Sequence, residues 1–157
     1  MMLAWRIATE NRSFLATDLS GNSAANSPGR WNDDGLPVIY AANTSSLAML
    51  ETSAHVAHHK LPQLKYLINI LIPELDWKKR EVLTASNLPT GWNSIPHNDS
   101  TVEIGSVWLI EQRSLILCVP SAITPEETVI LINPMHPRAN RLKAKKIRPI
   151  DYKTVFR

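Results

Sequence analysis

Three short apolar runs, each stopped by a proline, constrain this chain more than anything else in it. "LKYLINILIP" (64–73) is apolar on both faces and reads as a strand near the middle of a sheet, while "SLILCVPS" (114–121) and "ETVILINP" (127–134) read as two more buried strands. "LAWRI" (3–7), "PVIYAA" (37–42) and a last segment through "KKIRPID" (145–151) are further strand candidates. Helical patterns occupy two places. "NTSSLAMLETSAHVAHH" (43–59) offers Thr44 or Ser45 as a cap and sets Leu47, Leu50, Ala54 and Ala57 at three- and four-residue steps. "TVEIGSVWLIEQ" (101–112) follows Ser100, and Glu103 three residues on completes a capping box. Between them, "TASNLPTGWNSIPHNDS" (84–100) is rich in turn residues and reads as a long surface loop. The expected architecture is α+β, a mixed sheet with two or three helices and long loops. At 157 residues, 44% of them apolar, residues 1–157 are expected to form one domain.

The single cysteine, Cys118, lies inside the apolar run "LILCV" and reads as a buried thiol. One cysteine excludes a disulfide framework and a sulfur-ligated metal site, and a reduced thiol points to the cytoplasm. "MMLAWRIATENR" has no basic region followed by an apolar block, and no stretch approaches the length of a membrane span, so neither export nor insertion is expected. The formal net charge is +3, with much of the excess in "RANRLKAKKIRPIDYKTVFR" (138–157). Such a tail suits an anionic partner or a merely solvated face. No recognition helix, zinc finger or aromatic RNA-binding signature accompanies it, so direct DNA binding is not expected.

"SPGRWNDDGLPVIYAA" (27–42) sets Arg30 and Trp31 between two turns and runs into a strand ending near Tyr40. A guanidinium held in a short turn-bounded segment suits a planar anion, a phosphate or a carboxylate; the plainer alternative is a surface arginine stacked on Trp31. Glu51 falls at the edge of the helical apolar stripe, where a carboxylate needs a partner or a task, and Arg30 is a candidate partner on either view. Glu51, His55, His58 and His59 follow one another at helical spacing, but the order lacks the helical zinc-protease pattern, and histidines at a helix end favour its dipole, so no metal is expected. Ser121 follows a strand and a proline without the glycine-flanked elbow of a serine nucleophile. Asn133 and His136 sit in the proline-bracketed loop "INPMHPR", where turn chemistry alone accounts for them.

Taken in order, "WRI", "GRWN", Tyr40, the glutamate of "LAMLE", "VPS" and "NPMHP" resemble the RES domain, the toxin half of RES–Xre toxin–antitoxin pairs, over nearly the whole chain. The resemblance implies a fold related to the ADP-ribosyltransferase toxins, with NAD consumed as substrate and no cofactor. It implies as partner an Xre-type helix-turn-helix antitoxin that blocks the active site. It places the catalytic group at Glu51, Arg30 and Tyr40, and substrate contacts at Arg6, Arg30, Tyr40, Ser121, Asn133 and His136. The activity it implies is cleavage of the nicotinamide–ribose bond, depleting NAD by hydrolysis or phosphorolysis. Met49, two residues before Glu51, stands where arginine-modifying transferases carry a second glutamate. Transfer of ADP-ribose to a host protein is the alternative, and a non-enzymatic basic docking module the second alternative.

Overall fold

A computed structural model describes residues 2–56 and 64–156. The elements are β1 (Met2–Thr9), α1 (Asn22–Asn26), β2 (Ile39–Ala42), α2 (Ser45–Val56), β3 (Lys65–Ile72), α3 (Glu74–Lys78), β4 (Glu81–Val82), α4 (Asp99–Glu111), β5 (Ile116–Pro120), β6 (Thr128–Ile132) and β7 (Lys143–Ile150). The strands form one seven-stranded sheet in the order β4-β5-β6-β2-β1-β3-β7. Its pairings are antiparallel except β4 with β5. The three proline-stopped runs are β3, β5 and β6, all interior. The fold is α+β, as the sequence pattern requires.

Side chains alternate across the sheet with the two-residue period of a strand. Ile116, Cys118, Ile130 and Ile132 join Ile39, Ala41, Ile68 and Ile70 in one buried layer. Leu117, Val119, Val129 and Leu131 face the other way, beneath Leu47 and Ala48 of α2 and Trp108 and Leu109 of α4, with Trp31 in the same layer. Cys118 is buried as expected, in the layer facing away from α2 and α4, and burial pushes its thiol up to about 11. Among the described residues no helix is long and apolar enough to cross a membrane. At the centre of the sheet β1 and β2 meet through one pair, Trp5 with Ala42, whereas β1 pairs with β3 over its full length. The sheet is thus weakly laced between its halves, β4-β5-β6-β2 on one side and β1-β3-β7 on the other.

Two helical expectations change in detail. In α2 the Thr44 hydroxyl does accept from the Leu47 amide at 3.1 Å, but Leu50 is 42% exposed, and the buried face runs through Leu47 and Ala48 instead. The sheet meets the helix one residue round from the spacing-based stripe, because small Ala48 allows the closer approach. In α4 the cap is Asn98, whose side-chain oxygen accepts from the Ser100 amide at 3.0 Å; Ser100 lies inside the first turn. Helices α1 and α3 are five residues each, too short to show periodicity. Helix α3 is held by Asp76, 3% exposed, which takes a two-pronged bond from Arg138 through Nε and Nη2.

Candidate active site

The site begins in the segment between α1 and β2. Buried Asn32 organises it: its Oδ1 accepts from the Gly29 amide (2.8 Å) and the Tyr40 hydroxyl (2.6 Å), while its Nδ2 donates to the carbonyls of Ala24 (2.9 Å) and Leu36 (3.0 Å). The Tyr40 oxygen in turn accepts from the Trp31 amide at 3.0 Å. Gly29 lies flat against the phenol, where a Cβ would come within 2.9 Å of that oxygen. Burial pushes the Tyr40 phenol well above its ordinary pKa, so it stays a neutral donor. Trp31 is core, not a stacking surface for Arg30. Sequence reading missed Asn32, which in "GRWND" resembles any turn asparagine.

The half-buried guanidinium of Arg30 donates both protons of Nη1, to the carbonyls of Trp92 (3.0 Å) and Ser94 (2.9 Å). Burial lowers its pKa, opposed by the negative charge of Glu51. Glu51, on α2, accepts at Oε1 from the Ser121 hydroxyl at 2.6 Å. Ser121 is fully buried, and its oxygen accepts from the amides of Ile123 and Thr124, both at 3.1 Å. A hydroxyl has one proton, and here two amides direct it to the carboxylate. Ser121 therefore orients Glu51, and its proton is not free for a ligand. Arg30 and Glu51 feel each other's charge but form no ion pair among the described residues; each is pinned by other groups.

The other expected site residues lie apart. Ser121 and Asn133 sit at opposite ends of the β5–β6 pair, since the Ser121 amide meets the Glu127 carbonyl and Asn133 lies beyond the Ile116–Ile132 pair, a separation of roughly 20 Å along β6. Asn133 is fully buried, bonded to the Leu109 carbonyl (3.0 Å) and the Met135 amide (3.0 Å). His136 accepts from the Arg138 amide through Nδ1 at 3.1 Å, beside Asp76. Both build the connection after β6. Arg6 lies in a polar cavity of about 340 Å³ with Ser13, Asp18, Asn22, Ser23 and Asn26, and its buried Nε has no hydrogen-bond partner. The side chains of His55, His58 and His59 lie outside the described residues, and among the described ones no cluster suits a metal ion.

Replacing Tyr40 by phenylalanine should lower stability by about 2 kcal/mol, because the Trp31 amide and one Asn32 lone pair lose a buried partner. Urea unfolding of the two proteins measures it; an unchanged midpoint would mean the network does not hold this segment.

The RES domain family matches residues 3–154. The chain is 46% identical over 144 residues to the "Prs ADP-ribosylating toxin" of Sphingobium sp. (strain YBL2), covering 92% of this chain and 89% of that one. It is 37% identical over 151 residues to "Toxin Res" of Yersinia enterocolitica, covering 96% and 95%. In fold it is similar to a chain in the crystal structure of the M. tuberculosis MbcT–MbcA toxin–antitoxin complex, with a TM-score of 0.69 and 19% identity over 94% of this chain and 84% of that one. With the matched region running from β1 to the last residues after β7, and Arg30, Tyr40, Glu51 and Ser121 gathered within it, the chain belongs to the RES domain family.

Proposed function

We propose that this protein is the toxin of a toxin–antitoxin pair and that it breaks the nicotinamide–ribose bond of NAD. The observation that carries the reading is that the Glu51 carboxylate and the Arg30 guanidinium lie close enough to feel each other's charge, each held by other groups of the protein and with no ion pair between them. Two opposite charges left in that state suit a substrate with an anionic end and a developing cation. As the C1′–N bond breaks, its electron pair returns to the ring nitrogen, so nicotinamide leaves neutral and needs no acid. C1′ becomes an oxocarbenium ion. Glu51 stabilises that charge with an anion whose orientation Ser121 fixes in advance. The lone carboxylate then suffices where ordinary glycosidases need a pair.

Arg30 holds the pyrophosphate or ribose end through its Nε–Nη2 edge, which has no partner among the described residues. The Tyr40 hydroxyl is spent on Asn32 and Trp31, so its contribution is the face of its ring. Arg6, with its unpartnered Nε in a polar cavity, is a second cation suited to a phosphate. Asn133 and His136, bonded elsewhere, are left as framework.

Water or phosphate as acceptor gives NAD depletion. Transfer to a protein side chain is favoured by the name of the Sphingobium relative, an ADP-ribosylating toxin. A purely basic docking module is less well supported, since Lys146 and Arg138 of the basic tail are already bound to Glu10 and Asp76. The likeness to a toxin–antitoxin complex supports an antitoxin partner, and the Xre type follows from the family resemblance.

Incubation with NAD labelled in the adenylate half tests the reading. Nicotinamide release should proceed equally with and without EDTA, because the leaving group departs without protonation or a Lewis acid. Label in free ADP-ribose or its phosphate ester identifies depletion, and label on protein identifies transfer. No nicotinamide release under any condition would overturn the proposal.

A further inference from the structure

Residues 91–98 carry the carbonyls that hold Arg30, and within the sequence they look like any polar surface loop. We infer that Asn98 is a positioning residue for Arg30, latching this loop to the start of α4 so that the guanidinium presents its Nε–Nη2 edge. The inference rests on the reading of Arg30 as the group that binds the NAD pyrophosphate or ribose end.

The argument runs through the protons of one side chain. Guanidinium has five N–H donors in a fixed plane. Both on Nη1 go to Trp92 and Ser94, which fixes the plane and leaves Nε–H and Nη2 as a two-pronged edge. Two carbonyls only two residues apart converge on one nitrogen because the chain bends between them. The Ser94 amide donates to the Gly91 carbonyl at 3.0 Å, and Gly91 has φ of 88°, a left-handed conformation open to glycine. Asn98 closes the bend from outside: Nδ2 donates to that same Gly91 carbonyl at 3.1 Å and reaches the Ser94 hydroxyl at 3.5 Å.

The other half of the Asn98 amide is the α4 cap, accepting from Ser100. One side chain thus ties a thirteen-residue helix to the Arg30 clamp, and using both ends fixes which way the amide points. Asn98 is itself exposed, and the loop's other bonds are local, the Trp92 amide donating to the Pro89 carbonyl at 3.1 Å and the Ser94 hydroxyl to the Pro96 carbonyl at 3.1 Å. The Trp92 ring anchors the loop in the core, but Asn93, Ile95, Pro96 and His97 are all exposed.

Asn98→Asp separates the two roles. Aspartate caps a helix as well as asparagine does, yet it presents an oxygen, not a donor, to the Gly91 carbonyl. Asn98→Ser caps without reaching Gly91. In both variants the KM for NAD should rise roughly five- to tenfold with kcat within about twofold, a loss of binding alone. Melting should stay within about 2 °C of the parent. The Arg30 Nε–H resonance, followed by ¹⁵N NMR without NAD, should shift and broaden in both. An unmoved resonance with unchanged KM overturns the inference, as does a fall in kcat that tracks a fall in melting temperature. If Arg30→Ala leaves the KM of the parent unchanged, the reading of Arg30 fails instead, and the resonance alone then decides the latch.

Discussion

Glu51→Gln should reduce nicotinamide release by roughly a thousandfold, the scale on which removing a preorganised charge from a reacting centre acts. Glutamine keeps the shape of the side chain and an oxygen that can accept from Ser121, so the 2.6 Å contact survives and α2 is undisturbed. What disappears is the negative charge that the proposed reaction needs beside C1′. Because Glu51 has no ion pair with Arg30, neutralising it strands no buried cation, and stability should change by less than about 1 kcal/mol. Circular dichroism and thermal melting provide the control. A variant that unfolds would identify Glu51 as a structural anion, and one that retains activity would remove the carboxylate from the mechanism.

That the fold brings Arg30, Tyr40, Glu51 and Ser121 together was foreshadowed by a local signal at each, a turn-bounded arginine, a strand tyrosine, a carboxylate on a helix edge and a serine after a strand stop, while their assignment to a site rests on the family resemblance. Their roles were less legible. Whether Ser121 gives its proton to a ligand or to Glu51 depends on two amides of the next turn, and only the folded backbone places those. Asn133 and His136 enter the candidate site through the family resemblance alone, since their proline-bracketed loop reads locally as turn chemistry. An antiparallel pair, however, sends successive strand ends to opposite sides. The stripe through Leu50 failed because spacing alone identifies a helix face only to within one neighbouring row, and Ala48 let α2 settle on that row. Asn32 and Asn98 were invisible because asparagine in a turn is ordinary, and what distinguishes them is a second partner eight and seven residues away along the chain.

Gly105→Ala should lower the melting temperature by roughly 4–8 °C, against what helix propensity alone dictates. Gly105 lies within α4 and is buried, and exchanging a mid-helix glycine for alanine ordinarily gains about 1 kcal/mol. Here the added Cβ would fall inside the van der Waals radius of the Trp31 carbonyl oxygen and press on the carbonyl carbon behind it. Neither partner is free to yield: α4 is fixed through Trp108 and Leu109, and the Trp31 ring is 3% exposed in the same layer. Forcing helix and segment apart costs about 3 kcal/mol or more, which outweighs the propensity gain. The strain also falls on the residue next to Arg30. A displacement of about 1 Å at a substrate-holding group can cost on the order of a hundredfold in rate, so the folded fraction should lose activity at 20 °C as well. Ser106→Ala is the matched control, one residue along the same helix, where the hydroxyl accepts only from the exposed Asp33 amide at 3.1 Å. That variant should lose no more than about 1 kcal/mol. If Gly105→Ala melts at or above the parent temperature, α4 does not bear on the Trp31 backbone, and the turn before β2 must hold Arg30 in place without it.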